Sequence, residues 1–123
     1  MEDVMASLDS ENIDAPHQTR PFREHGHMDV VTVGDFTLGN GTFEPGWRWS
    51  ADVKPIAGPD ACRIRHTGIC VTGRMGVRMD HGTQCRIGPG DVVLIEPGYD
   101  AWVIGDEACV MDDTGMTDAE PSS

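Results

Sequence analysis

Thiol and imidazole groups are the side chains best suited to nucleophilic or metal chemistry, and one stretch carries both: Cys62-Arg63-Ile64-Arg65-His66-Thr67-Gly68-Ile69-Cys70-Val71-Thr72-Gly73. Read at the two-residue period of a strand, Cys62, Ile64, His66 and Cys70 share one face, and Arg63, Arg65 and Thr67 share the other. Residues four apart on an ideal strand are separated by roughly 13 Å. Cys62 and His66 can therefore meet at one ion only if the strand bends or bulges near Ile64. The same spacing argues against a nucleophilic Cys-His pair, which needs sulfur and ring within hydrogen-bond reach.

Other candidates are weaker. His25-Gly26-His27 can chelate a metal in principle but reads as an exposed loop before a strand, and His81 sits in the turn Asp80-His81-Gly82-Thr83. Trp47-Arg48-Trp49-Ser50 sets two indoles on one face, as core or pocket wall, with Arg48 between them as a reader of a carboxylate-bearing ligand. The chain has no glycine-rich phosphate loop, no GxSxG and no carboxylate pair that the sequence places across a cleft. Cys62, Cys70, Cys85 and Cys109 form no CxxC, so most are expected to be buried, reduced and inert.

These side chains have to be positioned by short strands. At 123 residues, with 15 glycines and 8 prolines, the chain holds one domain, and its apolar residues come in short runs. The sequence divides into a flexible acidic arm over 1–24, a barrel domain over 25–113 and a tail over 114–123. Two or three strands are expected from Met28 to Phe43, broken by tight turns at Gly34-Asp35 and Gly39-Asn40-Gly41. Further strands are expected around Met75–Met79, Thr83–Ile87, Tyr99–Ile104 and Cys109–Met111. Residues 51–61 read as a loop, and Val92-Val93-Leu94-Ile95 as a central strand buried on both faces. Turn signals every eight to twelve residues with no amphipathic helix between them give an all-β sandwich or small barrel.

The formal charge is −12, from 21 acidic and 9 basic residues. Such a surface repels nucleic acid and anionic membranes, so neither is an expected partner. No apolar run approaches the roughly 18 residues of a membrane span, and the acidic start Met1-Glu2-Asp3 is unlike a secretory signal. The expectation is a soluble, cytoplasmic protein. The acidic, lysine-poor composition suits a saline cytoplasm or GC-rich coding.

Gly88-Pro89-Gly90-Asp91-Val92-Val93-Leu94-Ile95-Glu96-Pro97-Gly98 resembles the second motif of the cupin superfamily, PGDxxxxPxGxxH, and the segment from His66 to Gly73 is similar to the end of the first, HxHxxxExxxxxxG. The resemblance covers about 60 residues, Trp47 to Asp106, and implies a single-domain double-stranded β-helix, the cupin jelly roll. Counted back from Gly73, His66 takes the place of the family's metal-binding glutamate, Asp60 and Cys62 the places of the two histidines, and Ala101 that of the second-motif histidine. The usual three-histidine, one-glutamate centre is therefore missing. Cys62 and His66, with Tyr99, Asp100 or Asp60, remain as a non-standard donor set for Zn, Fe or Cu.

Two functions stay open at this point. In one, a small metal-dependent oxygenase, isomerase or hydrolase holds an ion through Cys62 and His66, with Asp60 or Tyr99 as a further ligand, Tyr99 as proton donor, and Trp47, Trp49, Trp102 and Arg48 around the pocket. In the other, a non-catalytic binding or sensory cupin holds a small organic molecule and no metal. For either, the family resemblance implies a homodimer.

Overall fold

The computed structural model describes residues 8–57 and 65–114. Nine strands run through them: β1 (Gln18–Pro21), β2 (Gly26–Val33), β3 (Phe36–Phe43), β4 (His66–Thr72), β5 (Met75–Met79), β6 (Gln84–Ile87), β7 (Val92–Ile95), β8 (Tyr99–Val103) and β9 (Cys109–Asp113). Two one-turn helices, α1 (Trp49–Asp52) and α2 (Lys54–Ala57), lie between β3 and β4. The six-stranded sheet has the order β1-β2-β3-β9-β4-β7 and the three-stranded sheet the order β6-β5-β8. Every pairing is antiparallel.

From β4 onward the chain shuttles between the sheets. β4 lies in the large sheet, β5 and β6 in the small one, β7 in the large, β8 in the small and β9 in the large. This alternation winds two antiparallel ribbons into a roll, and glycines mark the crossings. Gly73 (φ +75°) carries the chain from β4 to β5, and a Cβ there would collide with the carbonyl oxygen of Ala108. The Gly88-Pro89-Gly90-Asp91 turn carries it from β6 to β7, closed by Gly88 N–H donating to Asp91 Oδ2 at 2.8 Å.

Inward residues follow the two-residue period. On β4 they are His66 and Cys70, both buried, while Ile69 and Val71 face outward and are exposed. On β9 they include Cys109 and Met111. The core between the sheets joins these to Met28, Val30, Phe43, Trp47, Met75 and Tyr99.

Four sequence expectations need correction. Asn40-Gly41 is not a turn but lies inside β3, paired on both sides with β2 and β9. Its glycine is needed for packing, since a Cβ on Gly41 would stand 2.6 Å from the Phe43 ring. Val92–Ile95 is not central but the edge strand of the large sheet, with Val92 80% and Leu94 57% exposed. The stretch read as a loop after residue 50 begins with α1 and α2. Finally, β1 extends the large sheet into the segment read as the arm, because Gln18–Pro21 finds the open edge of β2. Cys85, unlike Cys70 and Cys109, is exposed.

Candidate functional site

β4 and β9 lie side by side, and their register places Asp113 across from Gly68. His66 opens β4 and Asp113 closes β9, so the two inward side chains meet at one end of the ladder. His66 Nδ1 lies 2.6 Å from Asp113 Oδ2, and both side chains are nearly buried. A Cβ on Gly68 would collide with the carbonyl oxygen of Asp112, so this glycine allows the strands to close up next to the pair.

Across the roll, Tyr99 opens β8 in the small sheet. Its ring meets the His66 ring edge-on, with 6.1 Å between centroids and planes at 90°. Trp49 backs Tyr99 at 5.2 Å. Beneath them is a cavity of about 60 Å³, walled by Met28, Met75, Met111, Val93, Ile95 and Ala101, with His66, Asp113 and Tyr99 as its polar side. That volume is several times the roughly 10–15 Å³ that one water needs. Trp47 lines it as well, held by Phe43 at 4.6 Å. The indole N–H groups of Trp47 and Trp49 are buried without a hydrogen-bond partner. A buried donor left in this state loses its desolvation energy uncompensated unless an acceptor reaches it.

The polar side of this wall carries groups whose chemistry is that of the proton. A carboxylate against Nδ1 orients an imidazole and selects its tautomer; when Nδ1 donates to Asp113, Nε2 is the ring's acceptor. The buried thiols behave differently. Burial pushes Cys109 up to about 12 and raises Cys70 as well. Their sulfurs lie 3.9 Å apart as thiols, without nucleophilic character at neutral pH.

The residues named from sequence fall in three places. His66, Tyr99 and Trp47 meet at the cavity, with Trp49 one layer behind. Arg48 and Trp102 are on the outer face of the small sheet, with the guanidinium carbon 5.0 Å from the indole centroid. Cys62 and Asp60 lie outside the described residues. For the transition metal implied by the cupin resemblance, the described cavity offers one imidazole, already bonded to Asp113, and one phenol. No three His, Cys, Asp or Glu side chains gather among the described residues. The rest of the wall is thioether and alkyl, so the described donors do not by themselves fit a divalent ion.

Asp113 is the functional candidate that sequence reading passed over. The signal was present, since Cys109, Met111 and Asp113 share a parity, and two inward residues commit the third. The pairing partner was not legible, because it depends on the register of β9 against β4.

No family model matches the chain, and no curated protein does. Solved structures do match. A cupin 2 conserved barrel domain protein from Salinispora arenicola superposes with a TM-score of 0.61 at 18% identity, covering 87% of this chain and 87% of that one. A double-stranded β-helix protein from Klebsiella pneumoniae gives 0.56 at 16%, covering 95% and 93%. Ectoine synthase from P. lautus gives 0.59 at 11%, covering 89% and 80%. With its strands alternating between two sheets around an inward-facing cavity, this chain has the fold of a small cupin domain, a double-stranded β-helix.

Proposed function

We propose that this protein binds a compact organic molecule in the cavity of the roll, and that His66, oriented by Asp113, gives or takes a proton there. The observation that carries this reading is the 2.6 Å imidazole–carboxylate contact on the wall of an otherwise apolar cavity. A histidine and an aspartate are costly to bury, and a pair serving only to tie two strands together would not need to face an open space. The walls select an uncharged, mostly apolar body. The His66 ring on the polar side suits an oxygen on it that can share a proton, such as a carbonyl or ether oxygen. Ectoine synthase, a fold neighbour, is an enzyme by name, which supports catalytic use of such a cavity.

The test is an NMR titration with small neutral ketones and lactones, cyclopentanone first, read at the amides of Gly68, Met75, Ala101 and Met111. Saturable shifts are expected, weakened about tenfold in His66→Ala, as loss of a buried polar contact implies. Asp113→Asn should weaken binding less, because the amide keeps a bond to the ring. If no probe moves those amides, or if His66→Ala binds as the unaltered protein does, the reading fails.

A further inference from the structure

The outer face of the small sheet carries a second arrangement, separate from the cavity. The pairing of β6, β5 and β8 sets Arg86, Gly76 and Trp102 in one row and Gln84, Arg78 and Asp100 in the next. Gly76 has no side chain to lift the indole, and a Cβ there would lie 2.5 Å from Trp102 Cε2, so the ring lies down over the strand. Arg48 bridges to Trp102 through the backbone, stacks over its ring, and reaches Asp100 Oδ2 through Nη1 at 3.0 Å. Ser50 holds the same carboxylate through its N–H at 3.1 Å and Oγ at 3.0 Å. The guanidinium is thus fixed in place at the edge of a groove of about 290 Å³ that Arg78, Gln84 and Asp100 also line.

The charge on this face runs against that of the whole molecule. Among the described residues Arg48 is paired with Asp100 and Arg65 with Glu96, while no carboxylate pairs with Arg78 or Arg86. In a chain with 21 acidic residues and 9 basic ones, two arginines side by side without carboxylates are unexpected. Their Cβ atoms are diagonal neighbours across β5 and β6, a separation of about 7–8 Å. Three guanidiniums and one carboxylate leave two positive charges on the face. Guanidinium forks match carboxylates with two parallel hydrogen bonds.

The geometry points to a binding site for a small organic dicarboxylate in the groove on the outer face of the small sheet, with Arg78 and Arg48 taking one carboxylate each and Arg86 adding to the local positive field. A polyanion is disfavoured, because the net charge of −12 repels an extended chain of negative charge beyond the groove. A compact dianion meets the local field alone.

The experiment is an NMR titration of the whole protein with succinate, read at the amides of Gly76, Arg78 and Gln84, with inorganic phosphate and sodium chloride at matched ionic strength as parallel arms. Succinate should give saturable shifts at these positions. Arg78→Ala, an exposed substitution that leaves the core intact, should weaken it about tenfold, and Arg78→Lys should fall between, because it keeps the charge and loses the fork. Shifts that grow without saturating, or that sodium chloride reproduces, overturn the site. Phosphate binding as tightly as succinate overturns the dicarboxylate assignment, and an unaltered affinity in Arg78→Ala overturns the role of that arginine. None of these outcomes bears on the cavity, which lies on the other side of the sheet.

Discussion

Asp100 shows how a single side chain is set by its neighbours. Burial, the largest single influence, raises its pKa, but hydrogen bonds from Ser50 and Arg48 and from the backbone N–H groups of Ser50 and Ala101 together outweigh it, and the net shift is downward. A carboxyl that binds its proton more weakly in the folded state contributes stability above its ordinary value near 3.8, and that contribution disappears as pH falls through the lower folded value. The stability gap between the unaltered protein and Asp100→Asn, measured by urea unfolding, should therefore be constant near neutrality and shrink between about pH 5 and pH 3. A gap that stays constant over that range would contradict the assignment. At this scale the sequence showed which residues are chemically capable. It placed His66 and Cys70 on one face of a strand, as the fold does, but it had no means of pairing His66 with Asp113, 47 positions away.

At the scale of elements, the helical turn α1 was invisible to pattern reading because it is only four residues long. Its stability comes from a tertiary contact. The buried Asp52 accepts from the N–H of Arg48 at 3.0 Å and contacts His25 Nδ1 at 3.1 Å, tying the turn to the start of β2. His25 takes a left-handed backbone (φ +65°), uncommon for a residue with a side chain, and the bond to Asp52 holds it there. Asp52→Ala leaves a partly buried N–H unpaired and should lower unfolding stability by about 1 kcal/mol, with Asp52→Asn closer to the unaltered protein. Equal urea midpoints for all three would remove this contact from the account. The Val92–Ile95 run belongs to the same scale. Four apolar residues in succession describe a strand, yet whether it is central or at an edge depends on what lies beside it. Here β7 is paired on one side only, by β4.

At the scale of the molecule, charge is the dominant property. With a net −12 on 123 residues, folding brings like charges together, and mobile ions screen that repulsion. The melting temperature should rise as sodium chloride is increased from about 0.05 M to 1 M, and a fall over this range would show that local pairs such as Arg65–Glu96 outweigh the general field. No described helix is long and apolar enough to cross a membrane.

Composition and turn spacing by themselves determined an all-β fold, and the Gly-Pro-Gly-Asp turn together with Gly73 carried the likeness to cupins. Those features are local: they depend on backbone freedom and on a period of two, both of which a strand shows by itself. The tertiary structure decided what lies across from what. It set Asp113 against His66, turned Trp102 and Arg48 outward while Trp47 turned in, and kept Asn40-Gly41 inside a strand where the local signal favours a turn. The physical reason is that sheet register and the closing of one sheet over another are fixed by packing between distant segments, such as Phe43 over Gly41 and Trp102 over Gly76, and a sequence read from neighbour to neighbour does not contain those distances.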